Sequence, residues 1–278
     1  MSSQFRFNNH EWALVLGASS GFGAATSREL ARHGMNILGI HFDRAATVPM
    51  AEAVRKDVEA AGVKALFFNI NASDEVKRNE TLDLAKTEFE KSGGTVKVLL
   101  HSLAFGSLRP LVSVKGEMLS QKQIEMTLDV MANTLVYWTQ GVVSRDLMTK
   151  GGRIFAMTSS GGHSVLLNYG AVSAAKAALE SYIRQLALEL GPLGISANTV
   201  LAGVTDTPAL RKIPGAVTML DIARAKNPSL RNGTAEDVAK GIAILSHDDA
   251  FFISGNVIRI DGGEDIVEYI GQKSAIEL

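Results

Sequence analysis

Short apolar runs alternate along the chain with longer stretches in which apolar residues return at three- and four-residue steps. The short runs are Trp12–Leu16, Met35–Phe42, Val63–Ile70, Val96–Leu100, Arg153–Met157, Ile195–Val200 and Val257–Ile260, and each predicts a strand. The longer stretches predict helices. One follows the glycine-rich segment at 17–23 and runs through Ala31, and a second covers Val48–Ala61 and is closed by Gly62. A third opens at Ser73-Asp74-Glu75, and a long one covers Gln121–Met148, stopped by Gly151-Gly152. Asn168–Leu190 follows, ended by Gly191-Pro192, and Thr234 caps a last one. Strand and helix alternate without linker, repeat or low-complexity run. That order predicts a single α/β domain over residues 1–278, with a seven-stranded parallel sheet covered by helices on both faces.

The helix predicted over Asn168–Leu190 carries an apolar stripe of Ala175, Leu179, Tyr182, Leu186 and Leu190. It also carries two chemically capable side chains, Tyr169 and Lys176. Seven residues separate them, so two turns place them on nearly one face, about 10 Å apart along the axis. An ammonium on the same face as a phenol is expected to lower the phenol pKa and improve it as a donor.

The segment GASSGFG stands between the first strand and its helix, the context in which such a motif binds phosphate. Gly17 permits the tight turn, and Gly21 and Gly23 let backbone N–H groups and the helix N-terminus approach a diphosphate. With this motif the fold class becomes a doubly wound, Rossmann-type sheet, whose ligands bind at the carboxyl ends of the strands. The second strand ends in His41-Phe42-Asp43-Arg44. Asp43 there suits the ribose hydroxyls of NAD, whereas Arg44 with His41 suits the 2′-phosphate of NADP. Asn71 ends the third strand where an amide reaches an adenine edge. The stretches 17–23, 41–44, 101–109, 158–162 and 202–207 all fall at strand ends, so they are expected to converge. The irregular segment 202–232 is expected to form a substrate lid. Its cations Arg211, Lys212, Arg224, Lys226 and Arg231 are read as a solvated face.

The formal net charge is −1, which gives no argument for nucleic acid or an anionic membrane as partner. No cysteine is present, which removes disulfides, thiolate metal sites and cysteine nucleophiles and suits a reducing, cytoplasmic setting. No metal-type histidine spacing, signal peptide or membrane-length apolar run is expected.

Taken together, Gly17-x-x-x-Gly21-x-Gly23, the Ser159 turn, the Tyr/Lys helix, the Gly203–Thr207 segment and Asp261-Gly262-Gly263 resemble the short-chain dehydrogenase/reductase family from about Glu11 to Gly263. Most members have Tyr-x-x-x-Lys. With Lys176 as the family lysine, that tyrosine position is Val172, and the tyrosine stands one turn back at Tyr169. Tyr-x6-Lys, His101-Ser102 in place of Asn-Asn, and Met131 at the helix asparagine position, with Asn133 two residues on, resemble the enoyl-[acyl-carrier-protein] reductase branch. Leu108-Arg109-Pro110, Lys176-Ala177-Ala178-Leu179-Glu180 and Asp206-Thr207 resemble its NADPH-using members, which have a serine, here Ser159, at an outer position filled elsewhere by a second tyrosine. Leu16 departs from the usual threonine before Gly17.

The resemblance implies reduction of the 2,3 double bond of an enoyl thioester, with NADP(H) favoured and NAD(H) possible. It implies Tyr169, Lys176 and Ser159 as catalytic residues. It assigns cofactor contacts to Gly17, Ser19, Ser20, Gly21, Phe22, Gly23, His41, Arg44, Asn71, His101, Ser102, Lys176, Gly203, Thr205 and Thr207. It also implies an acyl thioester, free or carrier-bound, as partner. A homotetramer is expected, in contact through 121–148 and 167–190. Two other readings stay open: a carbonyl reductase such as a 3-oxoacyl reductase, and a non-catalytic nucleotide-binding regulator.

Overall fold

The computed structural model describes residues 5–268; the outermost parts of the domain expected over 1–278 lie outside the described residues. Seven strands form one parallel sheet in the order β3-β2-β1-β4-β5-β6-β7. They are β1 (Glu11–Leu16), β2 (Asn36–His41), β3 (Ala65–Asn69), β4 (Thr95–His101), β5 (Arg153–Thr158), β6 (Ser196–Ala202) and β7 (Val257–Ile260). β1 lies between β2 and β4, so the winding direction reverses there and a crevice opens beyond the strand ends.

Every residue of β1, β2 and β5 is buried, because both sheet faces are covered. Trp12, Leu14 and Leu16 point into one core with α3 (Glu75–Ser92), α5 (Thr134–Val143) and α6 (Gly170–Leu190). Ala13 and Val15 point into the other, against α1 (Gly21–Arg32), α2 (Val48–Ala60) and α8 (Ala235–Leu245). The alternation is the period of two along a strand. Thr234 caps α8 in a full capping box with Asp237.

The single helix expected over 121–148 is not continuous. α4 (Gln121–Leu128) runs into a π-helical turn at Asp129–Asn133, then α5, which ends at Val143. At the break the Thr134 N–H reaches back to the Asp129 carbonyl, one residue further than in an α-helix, while its hydroxyl donates to the Val130 carbonyl at 2.8 Å. Leu147 and Met148 still reach the core, but from a turn in which Asp146 has φ 57°. The helix expected from Asn168 starts at Gly170, since Asn168 has φ 61° and Tyr169 is the N-cap. On its buried stripe Ile183 stands at 1 % exposure, while Tyr182 is half-buried and donates to Asn133 Oδ1 at 3.0 Å. After β6 comes the helical insert expected as a lid, with a short 3₁₀ turn at Leu210–Lys212 and α7 (Ala216–Lys226). α7 buries only Ala223.

Candidate active site

The glycine loop is shaped first by its own backbone. A Cβ on Gly17 would lie 2.4 Å from the Ser102 carbonyl oxygen, and one on Gly23 would lie 2.1 Å from that of Gly17. Gly17 also has φ +92°, so no side chain is tolerated there. Ser102 N–H donates to Leu16 O at 2.9 Å, which binds the end of β4 to this loop. Helix α1 begins with no side-chain cap at Ser20 and no acid in its first turn, so the N–H groups of Gly21, Phe22 and Gly23 remain available. Ser19 and Ser20 are half-buried beside them. A Cβ on Gly21 would lie 3.6 Å from Thr207 Cγ2, so the loop after β6 meets the glycine loop. Thr205 donates to Gly203 O at 3.0 Å, and Thr207 accepts from Leu210 N–H at 3.2 Å. Val204 N–H donates to Glu264 Oε1 at 3.0 Å, which ties this loop to the closing Asp261–Glu264 turn. Sequence reasoning missed Glu264, since no local pattern links it to Val204.

At the end of β2 the expected partners divide. His41 is buried, and its Nδ1 lies 2.9 Å from Asp43 Oδ2. Burial pushes the Asp43 carboxyl up, but Thr47, Ser19 and His41 together hold it below the usual carboxylate range. Arg44 is exposed and makes no ion pair among the described residues. Asn71 is exposed at the rim, with Oδ1 accepting from Ser73 N–H at 3.1 Å.

Tyr169, Ser159 and Lys176 come together over the end of β5. The Tyr169 ring lies on Gly161, where a Cβ would be 2.5 Å from Tyr169 Cε1 and 3.2 Å from Ser159 Oγ. Ser159 Oγ is buried next to Tyr169, close enough to act on its hydroxyl but without full hydrogen-bond geometry. Ser173 Oγ donates to the Gly161 carbonyl and holds this turn on α6. Lys176 is 5 % exposed and donates to the Met157 carbonyl at 2.7 Å. Burial lowers its pKa from 10.5 to about 8, with Glu180 acting in the opposite direction.

The expected effect of the ammonium on the phenol is not what the structure gives. Burial raises the Tyr169 pKa, and the opposing influence comes from Ser159 rather than Lys176. Tyr169 is therefore a neutral donor, which suits hydrogen bonding to an oxyanion. His101 is fully buried, with Nε2 at 2.8 Å from Thr134 Oγ1. Burial first, and then the Lys176 charge, pull its pKa down to about 3, so it is neutral. Its place is behind the strand end, joining β4 to the π turn.

Of the five cations in the insert after β6, Arg211 pairs with Asp206, Arg224 with Asp221 and Arg231 with Asp237. That matches a solvated face. Among the described residues no cluster of metal-ligating side chains occurs, and no helix is long and apolar enough to cross a membrane.

A glycine loop, an uncapped helix N-terminus, and a Ser/Tyr/Lys set at one sheet edge now stand together. A family model described as Enoyl-(Acyl carrier protein) reductase matches residues 17–264. The chain belongs to the short-chain dehydrogenase/reductase family. It is an oxidoreductase, and its family uses nicotinamide cofactors. It is 28 % identical to the 1-cyclohexenylcarbonyl-CoA reductase of Streptomyces collinus over 92 % of this chain and 87 % of that protein. It is 27 % identical to the 3-oxoacyl-[acyl-carrier-protein] reductase FabG of Pseudomonas aeruginosa over 90 % of this chain and 96 % of that one. Among solved structures, a short-chain dehydrogenase from Burkholderia cenocepacia in complex with NADP superposes with a TM-score of 0.78 at 28 % identity, covering 93 % of this chain and 100 % of the other.

The residues fit a dinucleotide. The uncapped α1 N-terminus, with free backbone N–H groups beside the Gly21–Thr207 approach, suits a diphosphate, and Lys176 is a buried cation at the end of β5.

Proposed function

We propose that this oxidoreductase reduces the 2,3 double bond of an enoyl thioester, with NADPH preferred over NADH. One observation carries the reading. The hydroxyl beside Ser159 belongs to Tyr169, whereas the position one turn on, Val172, is 4 % exposed and part of the hydrocarbon core. A carbonyl reductase must deliver a proton to an alkoxide. An enoyl thioester instead develops charge on its carbonyl oxygen, and a neutral phenol is suited to that task.

When bound, a nicotinamide dinucleotide would supply the hydride that adds to the β-carbon. Gly17, Ser19, Ser20, Gly21, Phe22 and Gly23 would hold its diphosphate, Lys176 its nicotinamide ribose, and Gly203, Thr205 and Thr207 its carboxamide or diphosphate. Ser102 and Asn71 border the same groove, and His101 supports it from behind. Tyr169 donates a hydrogen bond to the thioester oxygen and stabilises the enolate, whose α-carbon then takes a proton from water, with Ser159 as a secondary polar contact. Arg44 favours a 2′-phosphate, since Asp43 is engaged with His41. The insert after β6 acts as the lid over an acyl thioester, carrier-bound or free. The reading goes with a cytoplasmic homotetramer joined through α4, α5 and α6.

The Streptomyces relative is named for reduction of an unsaturated acyl thioester, which supports the proposal; the FabG relative is named for a 3-oxoacyl substrate and keeps the second reading open. The test is oxidation of NADPH and NADH with a trans-2-enoyl thioester and its 3-oxoacyl counterpart in parallel. Turnover of the enoyl substrate alone is expected. Turnover of the 3-oxoacyl substrate alone would refute the assignment.

A further inference from the structure

Two residues one turn apart on α6 hold two consecutive residues at the end of β5. Lys176 Nζ donates to the Met157 carbonyl at 2.7 Å, and Thr158 Oγ1 donates to Glu180 Oε1 at 2.6 Å. Ser159 follows directly. Glu180 also lies under the turn, since a Cβ on Gly162 would be 2.8 Å from Glu180 Oε1. Residues four apart share a helix face, so the Glu180 carboxylate stands on the side of Lys176. The charged and titratable groups around that amine can be named. From α6 it is Glu180, and from β4 the neutral His101. β5 contributes only the Met157 carbonyl and the Thr158 hydroxyl. Glu180 is thus the carboxylate that faces the amine among these groups.

We propose that Glu180 is a positioning residue of this site, fixing the Ser159 turn through Thr158 and serving as the counter-charge that keeps the buried Lys176 cationic for cofactor binding. The inference rests on Lys176 as a cofactor ligand and is independent of the acyl substrate. A solvated glutamate on an ordinary helix would do neither job. The buried lysine loses hydration, and a fixed negative charge one turn away offsets part of that loss.

The test is NADPH affinity, followed by nicotinamide fluorescence across neutral to alkaline pH, in the wild type and in Glu180→Gln, Thr158→Val and Lys176→Met. Wild-type affinity should weaken through a midpoint near about 8, as Lys176 loses its proton. Glu180→Gln keeps an acceptor for Thr158 but removes the charge, so its midpoint should fall by on the order of half to one pH unit. Thr158→Val keeps the charge and should keep the wild-type midpoint. Lys176→Met should abolish this step. A Lys176-dependent step that Glu180→Gln leaves in place would overturn the role of Glu180 alone. A Lys176→Met profile identical to the wild type would overturn that role together with the cofactor assignment. Should Glu180→Gln not fold, Glu180→Asp draws the charge back by one methylene. It should then move the midpoint in the same direction by a smaller amount, and an unmoved midpoint would count against the proposal equally.

Discussion

Lys176→Met separates what the fold bears for its buried amine from what the amine does. Lys176 is 5 % exposed, and its pKa falls from 10.5 to about 8, chiefly through burial. At about 1.4 kcal/mol per pH unit, that difference is a penalty of about 3 kcal/mol on the charged native state. Below about pH 8 the amine is protonated in both states, and the native state bears the whole penalty. Between about pH 8 and pH 10.5 the folded protein has released a proton that the unfolded chain still holds, so stability rises with pH. Methionine is similar in length, uncharged and indifferent to pH. Urea unfolding of both cofactor-free proteins, at one fixed protein concentration, should show the wild type gaining on the variant by about 2 kcal/mol between about pH 7.5 and about pH 10. His101 does not confuse the comparison. Its pKa of about 3 rises once the neighbouring charge is gone, but it has to climb several units to enter that window. Parallel stability curves across the window would refute the reasoning, since they would mean that Lys176 is as well solvated in the fold as in the unfolded chain.

Tyr169→Phe should lower kcat by on the order of 10²–10³-fold, the usual loss for one oxyanion donor, with cofactor affinity nearly unchanged; steady-state kinetics and fluorescence titration check the two halves. Gly17→Ala places a Cβ 2.4 Å from the Ser102 oxygen at a positive φ, so a loss of on the order of 2–3 kcal/mol and weaker cofactor binding are expected by melting and titration. Thr234→Ala removes the hydroxyl of the α8 capping box and should cost about 1 kcal/mol in urea unfolding, with turnover unaffected.

The strands were legible because a parallel strand buried on both faces is a continuous apolar run; β7 matches its expected bounds, and the others shift by one or two residues. Interruptions of helices were not legible. Gln121–Met148 carries a helical pattern throughout, and only the three-dimensional neighbours of Thr134 show why the ladder opens at Val130. The spacing of Tyr169 and Lys176 was visible, but the electrostatics between them was not. An ammonium lowers a phenol pKa in water, whereas here burial acts on Tyr169 more strongly and the amine faces the Met157 carbonyl. In the same way Asp43 and Arg44 had equal standing as letters. The structure pairs Asp43 with His41, 2.9 Å away, and leaves Arg44 exposed, a difference the letters do not carry.

The departures from the family pattern have a common physical location. Val172 and Met131 occupy the positions where most members carry a tyrosine and an asparagine, and both belong to one core. They meet at Gly106, in the loop after β4. A Cβ there would lie 2.7 Å from Val172 Cγ2, 2.8 Å from Thr127 Cγ2 and 2.9 Å from Met131 Sδ. That loop therefore seals the space with hydrocarbon and sulfur. A polar proton relay through it would leave buried donors and acceptors unpaired, at about 1–3 kcal/mol each. The hydroxyl that remains beside Ser159 is carried by Tyr169, the N-cap residue of α6, whose ring packs against the same core. Its ring rests on Gly161, where no side chain can intervene. The shifted donor and the apolar filling of the usual relay positions thus occur together, and that pairing is what the proposed enoyl reduction, which asks for a fixed hydrogen-bond donor rather than a proton wire, would use.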